Sequence, residues 1–200
     1  MKNNSTAIRP FSCKISWMNE NSFENVVYSD TNLDIHKKEI KRFCNIFEND
    51  IVEQFKYMQE SIMEKEIPVL SKLLSETSFE IGYESLAERY YNQLWTEYGI
   101  IADTVLQNIY LQNMYDNHYL LKHLLFIVGN LPADRRGNLE IIPLAGLSNP
   151  DIEIQDLSVK CFEAWEDKRH LPTLIELRNR TNVRWFRDYV NDVIEAMDGE

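Results

Sequence analysis

The sequence predicts an all-α protein in which antiparallel helical hairpins stack as a short array, with a small β-hairpin or an extended arm at the N-terminus. Three observations carry that expectation. The last third is self-similar: Pro172 follows Pro143 by 29 positions, and Phe186, Val190 and Ile194 follow Leu157, Cys161 and Trp165 by the same 29. Apolar residues recur at steps of three and four from Asp34 onward, the period of one helix face. The clearest period-two alternation lies in the first 30 residues.

Taken in order, Phe11, Cys13, Ile15 and Trp17 alternate with polar neighbours as a half-buried strand does, and Val26-Val27-Tyr28 could return beside them. An isolated hairpin is marginal and needs a helix to lie on, so strands and a draped arm stand as alternatives for residues 1–30. From Asp34 a long stripe of Ile40, Phe43, Phe47, Ile51, Phe55, Met58 and Ile62 predicts one helix, capped near Thr31 or Asn32 and ended or kinked by Pro68. The next helix is expected to hold Gly82 early and to stop at Gly99, with Leu86, Tyr90, Leu94 and Tyr91 inward. Residues 31–98 thus form a helical part packing on residues 99–200, in one continuous domain.

Beyond Gly99, the segment 100–113 places Ile101, Val105, Leu106, Ile109 and Tyr110 on one face. Its antiparallel partner, 119–131, places Leu120, Leu121, Leu124, Leu125 and Val128 inward. A loop over 132–138 leads into the two self-similar stretches. Each holds a short helix opened near a proline, a polar break and a longer amphipathic helix. Such a unit cannot bury its apolar stripe alone and must stack on a neighbour.

Residues 100–197 resemble HEAT-like repeats of the short, PBS-lyase type. The words that carry the likeness are Ile141-Ile142-Pro143-Leu144-Ala145-Gly146-Leu147 and the turn Asn149-Pro150-Asp151 before Ile152 to Leu157. Gln155-Asp156 stands where that family usually shows Val-Arg, and the 29-residue spacing is shorter than the about 40–47 of full HEAT repeats. The resemblance implies an extended binding scaffold, a fold that also hosts enzymes such as HEAT-like DNA glycosylases.

Composition narrows the chemistry. The 200 residues carry a net charge of −11 with no acidic block, a field that repels nucleic-acid phosphates and anionic lipid and attracts basic partners. Three scattered cysteines, Cys13, Cys44 and Cys161, read as thiols of a reducing compartment. A polar start without an apolar run points to a cytoplasmic location. His36, His118, His123 and His170 offer no metal-ligand spacing, and neither a nucleophile elbow nor a phosphate loop occurs. Cys161 sits on a core stripe. Acidic pairs such as Glu163 with Asp167 read as a solvated face. No metal, cofactor or catalytic residue is expected.

What remains is a surface. The outward positions of the two longer helices are Glu153, Asp156, Lys160 and Glu163 on one, and Arg184, Arg187, Asp188 and Asn191 on the other. Trp185, one step off its stripe, joins them as an interface anchor. Arg169, Arg178, Arg180, Arg184 and Arg187 around Trp185 could instead grip nucleic acid, an account opposed by the net charge. The leading expectation is a non-enzymatic protein-binding module, most concretely an acidic immunity protein or antitoxin that neutralises a basic toxin. The alternatives are an adaptor or regulatory subunit of a larger complex, and a DNA-directed enzyme such as a glycosylase.

Overall fold

The helical periods become nine α-helices among the described residues, and the fold is all-α. The structure, a computed structural model, describes residues 30–80 and 82–199, with side-chain surroundings from Asp50 onward. The hairpin or arm expected over residues 1–30 lies, but for Asp30, outside the described residues. The helices are α1 (Asp30–Glu76), α2 (Leu86–Tyr98), α3 (Ile100–Asn113), α4 (His118–Gly129), α5 (Ala133–Arg136), α6 (Ile141–Gly146), α7 (Ile152–Trp165), α8 (Leu171–Arg180) and α9 (Arg184–Asp198). Single turns of 3-10 helix, Gly137–Leu139 and Lys168–His170, precede α6 and α8. The chain divides into two compact units, Met1–Ile51 and Val52–Glu200. The second holds α2 to α9 and a hydrophobic core that extends from Leu70 to Met197.

Helix α1 takes one of the two courses open at Pro68: it runs on through that residue instead of ending there. A proline inside a helix removes one hydrogen bond and crowds the preceding turn. Leu70 and Leu74, just beyond it, are fully buried, and that burial offsets the loss. The apolar stripe is also not uniformly inward: Ile51, Phe55 and Met58 are exposed and Ile62 is half-buried. The core of the second unit meets the helix only from Met63 onward.

The turn after α1 explains two further corrections. Gly82 lies outside α2, at φ +86°, a conformation that glycine reaches without steric cost. Ser85 is the true N-cap, its Oγ accepting from the Glu88 N–H at 3.1 Å. Leu86 is therefore the first helical residue and points outward, while Ala87, Tyr91 and Leu94 are buried. Gly99 ends α2 as expected, at φ +57°, and α3 starts on the next residue.

His123 locks this corner. It is fully buried on α4, with Nδ1 3.1 Å from the Leu74 carbonyl and Nε2 2.7 Å from Ser85 Oγ. A carbonyl only accepts, so Nδ1 carries the proton and Nε2 accepts from the serine hydroxyl. Phe79 stacks on the ring at 4.6 Å. Burial pushes the His123 pKa below its ordinary value, keeping the ring neutral.

Helices α3 and α4, α6 and α7, and α8 and α9 pack as three successive hairpins, and their second members α4, α7 and α9 touch in sequence. Two close approaches set this arrangement. A Cβ on Gly129 of α4 would lie 3.3 Å from Cys161 Sγ on α7. A Cβ on Gly146 of α6 would lie 2.1 Å from Ser158 Oγ, whose hydroxyl is already committed to the Ile154 carbonyl at 2.8 Å. The inward stripe of α7 is Ile154, Ser158, Cys161, Phe162 and Trp165, with Leu157 half-buried beside it. Cys161 is a packing residue as expected, its thiol pushed up to about 12 by burial.

Two bonds join residues that share the sequence's 29-position offset. Arg136 Nη1 donates to the Trp165 carbonyl at 3.3 Å and Arg169 Nη2 to Glu140 Oε1 at 2.9 Å, each pair separated by 29 positions.

Gly146→Ala is expected to lower stability by about 1–3 kcal/mol in urea unfolding, because the Ser158 hydroxyl would have to leave the Ile154 carbonyl to admit the methyl group. A second expectation concerns acid. Since His123 is neutral in the fold, its contribution is complete above about pH 6.5 and is lost as pH falls towards its depressed folded value. Stability should drop between pH 7 and pH 5, and His123→Gln should flatten that slope.

Candidate functional site

The outward faces of α4, α7 and α9 form one surface, held edge to edge by polar contacts. His118 opens α4 and its Nδ1 lies 2.7 Å from Oδ2 of Asp151, the N-cap of α7. One turn on, Lys122 Nζ reaches Glu153 Oε2 at 2.6 Å. Across the other seam, the Tyr189 hydroxyl of α9 donates to Glu163 Oε2 of α7 at 2.6 Å. Burial first, then that carboxylate, raises the Tyr189 pKa and keeps the phenol protonated as a donor. Between the seams Lys160 pairs with Asp156 at 2.7 Å, an i, i+4 contact along α7.

Most of the residues expected on this face are there. Glu153, Lys160 and Glu163 are exposed and Asp156 is half-buried. On α9, Arg184 and Asp188 are exposed and 3.8 Å apart, and Trp185 is 55% exposed with its ring 5.5 Å from that of Phe186. Asn191 turns the other way: its Oδ1 accepts from Arg178 of α8 at 3.0 Å, and its amide donates to Glu195. Arg187, four residues earlier, shares the Asn191 side of the helix. Helical geometry thus separates these two from the α7 residues, because an α9 position can border α7 or α8 but not both.

The arginines around Trp185 are largely committed to their own fold. Arg180 donates to the Leu147 carbonyl at 2.7 Å, and Arg169 bridges Asp167 and Glu140. The arginine–tryptophan stacks lie elsewhere: Arg135 over Trp95 at 4.4 Å, and Arg136 over Trp165 at 5.5 Å.

Two polar clusters escape a reading of sequence spacing. In the first, the Tyr91 hydroxyl donates to the buried Asp103 Oδ1 at 2.7 Å, under the Arg135 guanidinium. Burial raises the pKa of both groups. A cavity of about 230 Å³ borders Asp103 and Arg135, lined also by Trp95, Ile100 and Asn138. The phenol and the carboxylate are spent on each other, so this cluster fastens α2 to α3 and frees no nucleophile.

The second cluster gathers Glu140, before α6, with Asp167 and His170, in the turn before α8. One potential ligand atom from each lies within 4.8 Å of the others. Hydrogen bonds from Arg169 hold the Asp167 carboxyl below the usual range. Glu140 stands far from the other two in the chain, which is why inspection of histidine spacing passes over it.

No family model, curated protein or solved structure matches this chain. No helix among the described residues is long and apolar enough to cross a membrane. The class that fold and surface define is an all-α protein with a continuous polar face over three neighbouring helices.

Removing the seam bond should loosen that face. Tyr189→Phe is expected to cost about 1 kcal/mol in chemical unfolding, the usual worth of one such hydrogen bond.

Proposed function

We propose that this protein is a non-enzymatic protein-binding module that meets a basic partner through the α4–α7–α9 face. The observation that carries the reading is the continuity of that face: Lys122–Glu153 on one seam and Tyr189–Glu163 on the other align three helices into one wall. Glu153, Asp156, Glu163 and Asp188 outnumber Lys122, Lys160 and Arg184 on it by one, in a chain of net charge −11. Complementary charge of that sign speeds encounter with a basic protein and excludes acidic ones. Exposed Trp185 supplies the apolar anchor that charge alone lacks.

The succession of three hairpins, with bonded pairs 29 positions apart, supports a HEAT-like reading of residues 100–197. Within the binding class, an immunity protein or antitoxin that neutralises a basic toxin in the cytoplasm is the most specific form. A small acidic chain needs little more than this face to cover a cationic site. An adaptor subunit would use the same surface. The local commitment of Arg169, Arg178 and Arg180 weighs against a nucleic-acid-directed enzyme.

The experiment is capture of partners by the tagged protein from its native host, repeated with Trp185→Ala and with Glu153→Lys/Asp188→Lys. A single basic polypeptide should be retained by the parent, weakened at least tenfold by either variant, and released by salt. A partner held equally by both variants would remove this face from the account.

A further inference from the structure

His170 poses a question that the binding face does not answer. It is only 6% exposed, wedged against the ring of Phe162 at 4.5 Å and near that of Trp165 at 6.2 Å. Its buried Nε2 has no hydrogen-bond partner among the described residues and lies 4.0 Å from Glu140 Oε2. A buried polar nitrogen without a partner is costly, on the order of 1–3 kcal/mol, and calls for something that satisfies it.

The backbone holds the other two groups in position. Asp167 caps the 3-10 turn, its Oδ1 accepting from the Arg169 N–H at 3.0 Å. Asp167 and His170 stand at the two ends of that single turn, which keeps their side chains close. Glu140 arrives from the preceding hairpin, 29 positions before Arg169. An imidazole nitrogen and two carboxylate oxygens therefore converge from two neighbouring hairpins.

We propose that Glu140, Asp167 and His170 form a binding site for a divalent transition-metal ion, with Zn²⁺ as the best-fitting representative. The donor set is borderline, one nitrogen and two oxygens, which suits zinc and its neighbours. Calcium and magnesium favour all-oxygen shells with more ligands. Ligand atoms around tetrahedral zinc stand about 3.4 Å apart, given bonds of about 2.1 Å. The present spacing is within 4.8 Å, so the exposed-side carboxylates must draw in towards the fixed imidazole to bind an ion. A water would complete the shell. Arg169, 70% exposed, now bridges Glu140 and Asp167, and it is the competitor that a metal displaces. Bound metal would clamp the turn before α8 to the start of α6 and so stiffen the stacking of two hairpins.

The test is titration of the chelator-stripped full chain with Zn²⁺ at pH 7.5, by calorimetry and thermal melting. The parent should bind one equivalent and melt at a higher temperature. His170→Ala and Glu140→Gln should each weaken binding by about tenfold or more, as loss of a ligand requires. Arg169→Gln should tighten it. Mg²⁺ and Ca²⁺ should leave the melt unchanged. Glu140→Gln carries the test if His170→Ala fails to give a folded circular dichroism spectrum. Absence of Zn²⁺ binding in both the parent and Arg169→Gln would overturn the proposal, leaving only an ion-paired turn. So would affinity unchanged in a folded His170→Ala or Glu140→Gln variant, which would assign the ion to other side chains.

Discussion

Helix α7 packs on α4, α6 and α9, and how closely α4 and α6 approach it governs the rest of the second unit. At Gly146 the space available to a side chain is already filled by Ser158, and at Gly129 a Cβ would press on Cys161. Absence of a Cβ at Gly146 is thus a spatial requirement of the stack, not a concession to flexibility. Across the same α4–α7 joint His118 and Lys122 reach Asp151 and Glu153. The same constraint passes across α7 to Tyr189, which closes on Glu163. Continuity of the outer face follows from packing underneath it.

The distribution of cations accounts for the sign of that face. A chain with 21 lysines and arginines against 32 acidic residues could still present basic patches. Several arginines are instead used within or between hairpins. Arg135 and Arg136 lie over tryptophan rings, Arg180 and Arg136 cap backbone carbonyls, Arg178 reaches an asparagine, and Arg169 neutralises two carboxylates. The exposed charged residues of α7 are acidic apart from Lys160. Structural use of arginine, as much as composition, makes the surface anionic.

The helix-forming periods and the 29-position offset are legible in the sequence because each is a local or regular property of the chain. Stripes such as Leu120–Leu124–Val128 locate an inward face without any knowledge of the neighbour. The bonded pairs Arg136–Trp165 and Glu140–Arg169 are also 29 positions apart, but spacing alone does not reveal that they touch. Features that depend on the partner surface are not legible in this way. The stripe through Ile51, Phe55 and Met58 has the helical period, yet periodicity does not say where a core begins. Pro68 obeys its local preference only until burial of Leu70 and Leu74 outweighs it. His123 and Asp103 look like polar interruptions of apolar runs, and their partners, Ser85 and Tyr91, lie elsewhere in the chain. A linear pattern groups Asn191 and Arg187 with α7, because it does not reveal which neighbour each flank of α9 meets.

The seam between α4 and α7 also contains a chemical sensor of its own integrity. Cys161 Sγ sits against Gly129, points at the Leu125 carbonyl 3.3 Å away, and is kept protonated by its surroundings. An alkylating reagent needs both access and thiolate, and neither exists while the helices are closed. Modification of this sulfur is therefore gated by separation of the two hairpins. Its rate becomes a clock for how often the stack breathes, measured at the buried joint on which the outer wall rests.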